Sequence, residues 1–262
     1  MTMPRTLGVA FAVLLVLPAM AQTPTSRATL DHEHTAWTAV LAQYVRDGEV
    51  DYGGLKEGGQ PALEAYLRAL EAVSPADYAG FTREQRLAFW VNAYNAYIAR
   101  LILKHYPLKS VRKIGLLPLA AFRERFIPLQ AVGPEELSLN DIEHTQLREK
   151  LEEPRIHFAL VCASKSCPKL QSEAYRASDI DAQLDAVARG FMADGFRNQV
   201  DPASGKAEVS SIFKWYRGDF TKGGRTLGAY MAQYADPAVA DFLRKKGDAV
   251  DFLDYDWSLN GR

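Results

Sequence analysis

The stretch TREQRLAFWVNAYNAYIARLILK, residues 82–104, decides the fold. Thr82 stands where an N-cap is expected and Gln85 at the capping-box position, and from Leu87 onward apolar side chains fall on nearly every helical face. A helix that is apolar all round is buried at the centre of a domain. Asn92 and Asn95 lie one turn apart on it, so they are expected to be buried amides with partners. Pro107 ends the helix.

Shorter elements surround this centre. Trp37, Val40, Leu41 and Tyr44 form a helical stripe within residues 31–46, closed by Asp47-Gly48. Val50-Asp51-Tyr52 before Gly53-Gly54 reads as an extended piece and a turn. Leu63, Tyr66, Leu67 and Leu70 mark a helix that Ser74-Pro75 stops. Beyond the centre, residues 110–139 are short apolar runs broken by Gly115, Pro118, Pro128 and Gly133-Pro134, with strand material at 126–132. A helix is predicted from Ser138 through Arg148, with Asp141 and Glu143 in its first turn, where the helix dipole favours negative charge. Residues 156–161 read as a buried strand ending at Cys162, and Ser166-Cys167-Pro168 as a helix start. An amphipathic helix over 180–192, a hairpin over 198–212, helices at 226–234 and 238–245 and a strand at 250–255 complete the chain.

Helices outnumber strands, and neither a low-complexity linker nor a repeat divides the sequence. The expected fold class is α/β (α+β): a single compact domain over residues 22–262, helix-rich with a small sheet. A cysteine-proteinase-like or transglutaminase-like architecture is held open.

Composition agrees. Of 262 residues, 48% are hydrophobic and 24% charged, which excludes disordered, collagen-like and coiled-coil chains. With 31 Lys+Arg against 32 Asp+Glu the net charge is -1, so nothing pulls the chain towards nucleic acid or an anionic membrane. Residues 1–21 read as a signal peptide: Arg5, an apolar run over 7–17, and Ala19-Met20-Ala21 as the cleavage site. The apolar run is about half of the ~20 residues a membrane-spanning helix needs. The mature protein is expected to begin at Gln22 and to be periplasmic or secreted, with no stable membrane anchor after cleavage.

Only Cys162 and Cys167 could carry thiol chemistry. In an oxidising compartment a disulfide, a reactive thiol at Cys162 and an inert buried cysteine all stay open. A thiol nucleophile needs a nearby imidazole. His144 is the preferred base, because His157, five residues before Cys162, would face away from it on a regular strand. Glu143, diverging from His144 by about 100° on a helix, is a candidate catalytic carboxylate with a different partner. Asn92, Asn95 and Arg148 are candidate substrate-binding groups, Arg148 being suited to a carboxylate. The same side chains also read as structural: Asn92 and Asn95 as fold-stabilising amides, Glu143, His144 and Arg148 as a buried polar network, and His157 as a core histidine.

Phosphate-binding loops, dinucleotide fingerprints, serine-hydrolase elbows and zincin motifs are absent from the sequence. Cys-x4-Cys without a second ligand pair is weak zinc evidence, and His32-Glu33-His34 suggests at most an adventitious metal contact. No metal and no cofactor are expected.

Three blocks carry a resemblance: Phe89-Trp90-Val91-Asn92-Ala93-Tyr94-Asn95, Leu139-Asn140-Asp141-Ile142-Glu143-His144 with Arg148, and Ile156-His157-Phe158-Ala159-Leu160 through Cys162 to Ser166-Cys167-Pro168. Together they resemble the domain of unknown function 547 family, in an exported bacterial form, over about residues 80–176. Phe213-Lys214-Trp215-Tyr216 with Asp219-Phe220 is similar to its downstream motif. The resemblance implies a compact domain rather than a reaction. Plant members that keep the first cysteine and carry Ser for the second put the weight on Cys162. Two functions are therefore expected. One is an exported thiol-dependent hydrolase or acyl transferase acting on amide or thioester bonds of a peptide or small molecule. The other is a non-catalytic peptide- or small-thiol-binding module.

Overall fold

In the computed structural model, which describes residue 1 and residues 30–117 and 119–262, the 82–104 stretch forms the central helix. The expected cleavage site, and all of the expected signal peptide except Met1, lie outside the described residues. The long helices of the first part are α1 (Thr35–Tyr44), α2 (Gln60–Glu71) and α3 (Arg83–His105). Thr82 and Gln85 open α3 as a capping box: Gln85 N donates to Thr82 Oγ1 at 3.2 Å and Thr82 N to Gln85 Oε1 at 2.9 Å. Every residue from 87 to 99 is buried. Trp90 is fully enclosed and donates from Nε1 to the Tyr78 hydroxyl at 2.7 Å. Burial of each such aromatic ring contributes roughly 1.5–3 kcal/mol.

Helix α2 packs on α3, and α1 on α2, where Trp37 stacks on Tyr66. His34 is buried beside them, its Nδ1 2.8 Å from the Tyr66 hydroxyl. The pair His32 and His34 is therefore not the exposed metal contact the sequence suggested, because His34 faces inward.

Helices that follow α3 include α4 (Asp141–Glu149), wound as a π-helix, α5 (Ile180–Ala193), α6 (Ser211–Trp215) and α7 (Arg217–Phe220). The last two are α8 (Leu227–Met231) and α9 (Pro237–Lys246). Sheets are small. Strands β1 (Val45–Arg46) and β2 (Glu49–Val50) pair antiparallel. The predicted hairpin is present as β3 (Gln199–Asp201) and β4 (Lys206–Val209), and β5 (Asp251–Phe252) joins β4 in parallel. The class is α+β, helix-rich, with one core running from Trp37 to Leu243. Among the described residues no helix is long and apolar enough to cross a membrane.

Several expected elements differ. Gly53 and Gly54 end a helical turn, Tyr52–Gly54, capped by Asp51, rather than a loose turn. Residues 126–132 hold a single bridge, Ile127 to Leu137, and a 3-10 turn, since Pro128 has no N–H for a ladder. Residues 156–161 are not a strand: a 3-10 helix, Pro154–Phe158, leads into an irregular segment. Ser166-Cys167-Pro168 starts no helix, because the chain there is tied to the carboxy terminus. Lys165 N donates to Ser258 O at 2.8 Å, Ser166 N to Asp256 O at 3.2 Å, and Asn260 N to Ala163 O at 3.2 Å.

What replaces the missing strand partner is side-chain amide. Asn95 Nδ2 donates to Ala159 O and Asn95 Oδ1 accepts from Val161 N, both at 3.0 Å. One turn earlier, Asn92 Nδ2 donates to Tyr175 O at 2.7 Å and its Oδ1 accepts from Tyr175 N at 3.0 Å. Buried backbone groups must be paired, and these two residues pair both ends of the loop that carries Cys162 and Cys167.

Candidate functional site

Helix α4, the 3-10 turn before Cys162, helix α6 with Tyr216 and the segment around Tyr255 surround a cleft of about 450 Å³, within the usual range for small-ligand sites. Its walls include Glu143, His144, His157, Cys162, Tyr216 and Tyr255.

His157 sits in the 3-10 turn, with its side chain only 2% exposed. Its ring stacks on Tyr216 at 3.9 Å between centroids, and Nε2 lies 2.7 Å from Asp219 Oδ2. Burial alone would raise the Asp219 carboxyl. Hydrogen bonds from His157 and Arg148 outweigh burial and hold the carboxyl well below the usual carboxylate range. An ionised carboxylate only accepts, so Nε2 carries the proton. Burial also pushes the His157 imidazole below its ordinary value, despite Asp219. The neutral ring then has its lone pair on Nδ1.

His144 is held in the opposite sense. Arg148 donates from a terminal nitrogen to His144 Nδ1 at 2.7 Å. It also grips Asp219 with two bonds, Nε to Oδ2 at 2.6 Å and a terminal nitrogen to Oδ1 at 3.0 Å. Guanidinium has no lone pair to offer, so His144 Nδ1 is unprotonated and the ring's proton is on Nε2. The π-winding of α4, seen in the i to i+5 bond from Lys150 N to Thr145 O, is a feature often found at functional sites.

Glu143 is 7% exposed, and its charge acts on the nearby phenols of Tyr94 and Tyr216. Both phenols are pushed upward, by burial first and by Glu143 second, so they remain donors.

Cys162 and Cys167 form a disulfide, with Cα atoms 6.0 Å apart. Between them Ala163 takes a left-handed conformation, φ 59°, which turns the chain so that the two residues approach. Cys162 is half-buried and Cys167 is 1% exposed. Hydroxyls flank both sulfurs: Ser164 Oγ at 3.1 and 3.3 Å, Tyr255 Oη at 3.3 and 3.2 Å, from Cys162 and Cys167 respectively.

Of the residues expected from the sequence, Glu143, His144 and Cys162 line one cleft. Arg148 lies beside it, bound to His144 and Asp219. The roles need correction. Cys162 is bonded to Cys167 in this state and is not a free thiol. His144 cannot accept the thiol proton, because its lone pair faces Arg148. Glu143 acts on two phenols and does not orient a histidine. Arg148 is engaged by Asp219 rather than left open to a substrate carboxylate. Asn92 and Asn95 are at most 2% exposed, with both ends of each amide occupied, so they position the cysteine loop and touch no ligand. His157, set aside on a strand argument, enters because no strand exists there.

Tyr216 and Asp219 were named only within the downstream motif and given no role, and Ser164 and Tyr255 were not singled out. Phe213 and Phe220 are fully buried anchors, and of the residues between them Trp215 and Tyr216 line the cleft while Asp219 pairs with His157. That spacing of buried aromatics around polar residues was the available signal. Among the described residues no group of three or more His, Cys, Asp or Glu is placed to hold a metal ion.

A helix-centred α+β domain, whose cleft is completed by segments distant in sequence, is the class that fold and site define. Residues 78–192 match the family model described as protein of unknown function, DUF547. No curated protein and no solved structure matches the chain. Asp219, Tyr216 and Tyr255 all lie beyond the matched segment.

Proposed function

We propose that the cleft carries out thiol-dependent acyl transfer, in which Cys162, once reduced, attacks the carbonyl of an amide or thioester. The observation that carries this reading is the His157–Asp219 pair at 2.7 Å, on an imidazole that lines the same cleft as Cys162. His157 Nδ1 takes the thiol proton as the sulfur bonds to the carbonyl carbon. The Nε2–H of His144 is a donor suited to the resulting oxyanion. Collapse expels the amine or thiol, which takes the proton back from His157, and water or a second nucleophile then releases the acyl group. Asp219 holds His157 in the required tautomer, as a carboxylate does for a catalytic imidazole.

The disulfide supports the export expectation for residues 1–21, since such bonds persist in oxidising compartments. It also favours the second reading, a non-catalytic module that binds a peptide or small thiol, because binding needs no free Cys162.

The two part on one measurement. Reduced protein is mixed with an activated thioester and peptide-mapped by mass spectrometry. An acyl group on Cys162, formed with single-turnover kinetics and lost from His157→Ala, is the expected result. Reduced, folded protein that takes no acyl group overturns the acyl-transfer reading.

A further inference from the structure

The oxidised pair has an asymmetry that acyl transfer does not use. Cys167 Sγ accepts from the backbone N–H of Cys162 at 2.9 Å, and it shares with Cys162 Sγ the hydroxyls of Tyr255 and Ser164, which lie 3.2 and 3.3 Å from Cys167 and 3.3 and 3.1 Å from Cys162. A disulfide sulfur is a poor acceptor, whereas a thiolate is a strong one, and charge-assisted hydrogen bonds are about twice as strong as neutral ones. The fixed backbone N–H, joined by two hydroxyls free to turn to the same sulfur once the bond opens, therefore stabilises Cys167 more as a thiolate than as half of a disulfide. Cys162, in contrast, is the more exposed residue of the pair.

The loop is also held rigid from outside. Arg197 donates from Nε to Cys167 O at 2.6 Å and from a terminal nitrogen to Lys165 O at 2.7 Å, and Asn95 fixes residues 159 and 161. Release of the bond leaves Cys167 in its nest of donors.

We infer that this protein is a thiol–disulfide exchange centre: a small thiol entering the cleft attacks Cys162 Sγ, and Cys167 is the built leaving group. The thiolate of the small molecule forms a new S–S bond to Cys162 as the Cys162–Cys167 bond breaks, and Cys167 departs with the electron pair. A second equivalent of thiol attacks the small-molecule sulfur of the mixed disulfide. It releases Cys162 as a thiolate and the small molecule as its own disulfide, so two thiols are oxidised as the protein disulfide is reduced. Leaving groups of lower pKa depart faster, and the three donors act on that quantity. Burial pushes the Tyr255 hydroxyl upward, which keeps it a donor throughout. The exchange does not depend on attack at a carbonyl, so it stands apart from the acyl-transfer reading.

Glutathione added to the oxidised full-length protein is the probe, with acid quenching and peptide mapping by mass spectrometry. The expected result is a transient glutathione adduct on Cys162, formed at least about tenfold faster in the folded protein than in the same protein unfolded in guanidinium. Tyr255→Phe keeps the ring against Trp215 and Trp257 and removes only the donor. It should slow adduct formation about tenfold in the folded protein and leave the unfolded rate unchanged. Ser164→Ala is the second variant, checked for native near-UV circular dichroism, and should act in the same direction. A folded rate no faster than the unfolded one, an adduct on Cys167, or hydroxyl-deletion variants that react as fast as the parent would each overturn the inference.

Discussion

The two walls of the cleft each present a buried or half-buried histidine, and they present it in opposite chemical states. On the α4 wall, His144 meets Arg148, which can only donate, so its proton faces outward on Nε2. On the wall formed by the 3-10 turn, His157 meets Asp219 of α7, which only accepts, so the lone pair is on Nδ1. Arg148 and Asp219 are joined by two bonds, so a single ion pair sets both tautomers at once. The difference between the walls teaches that the role of a histidine is written in the sign of its partner.

The comparison breaks most sharply at Asp219. Asp219→Asn replaces an acceptor with a group that can donate to His157 Nε2, which moves the proton to Nδ1 and removes the base. Acylation of reduced Cys162 by the thioester should fall roughly 10⁴-fold. His144→Gln, which retains a donor, should lower it no more than about tenfold, while His144→Ala should lower it by roughly 10²-fold or more. Equal losses in Asp219→Asn and His144→Gln would dissolve the distinction between the walls.

A third buried histidine sharpens the point, because its partner is neutral. His34 faces the Tyr66 hydroxyl, and burial lowers its pKa from 6.5 to about 4. Above pH 6.5 the ring is neutral in both folded and unfolded chains. As pH falls from 6.5 towards 4 the unfolded chain takes up a proton that the folded one resists, so stability is lost across that window and levels off below it. The loss should be about 3 kcal/mol at saturation, read as the pH dependence of urea unfolding. His34→Gln, which keeps a partner for Tyr66, should remove most of that slope between pH 6.5 and 4. An unchanged slope would place the acid sensitivity elsewhere.

Arg148→Met is the mildest of these changes. It removes the cation from an ion pair whose side chains are 28% and 26% exposed, which should cost roughly 1.5–3 kcal/mol of stability in denaturant titration. It should also let His144 exchange its proton between ring nitrogens. Nitrogen chemical shifts of the His144 ring that stay at the Nε2–H tautomer in Arg148→Met would show that something other than Arg148 sets its state.

Much of the scaffold was legible in the sequence. The capping box at Thr82 and Gln85, the all-round apolar pattern of α3, the stripes of α1 and α2, and the hairpin over β3 and β4 rest on residues near one another in the chain. The candidate site was half legible. Glu143, His144 and Cys162 were found as residue types and do share a cleft, yet their roles followed from partners that no local pattern names. Residues 156–161 show why: their apolar, β-branched composition suits a strand, but a strand needs a neighbour. Asn95 took its place as hydrogen-bond partner. With the strand gone, the alternation argument that turned His157 away from Cys162 has no basis.

Helix positions, the buried centre and the family blocks follow from the sequence by itself, because propensity, capping and hydrophobic period act over a few residues. Which histidine is base and which is donor, and which hydroxyls surround the sulfurs, were decided only by tertiary structure. Arg148 meets Asp219 across 71 positions and Tyr255 meets Cys167 across 88. Hydrogen bonds and ion pairs depend on distance in space, and only the folded core brings those residues within reach.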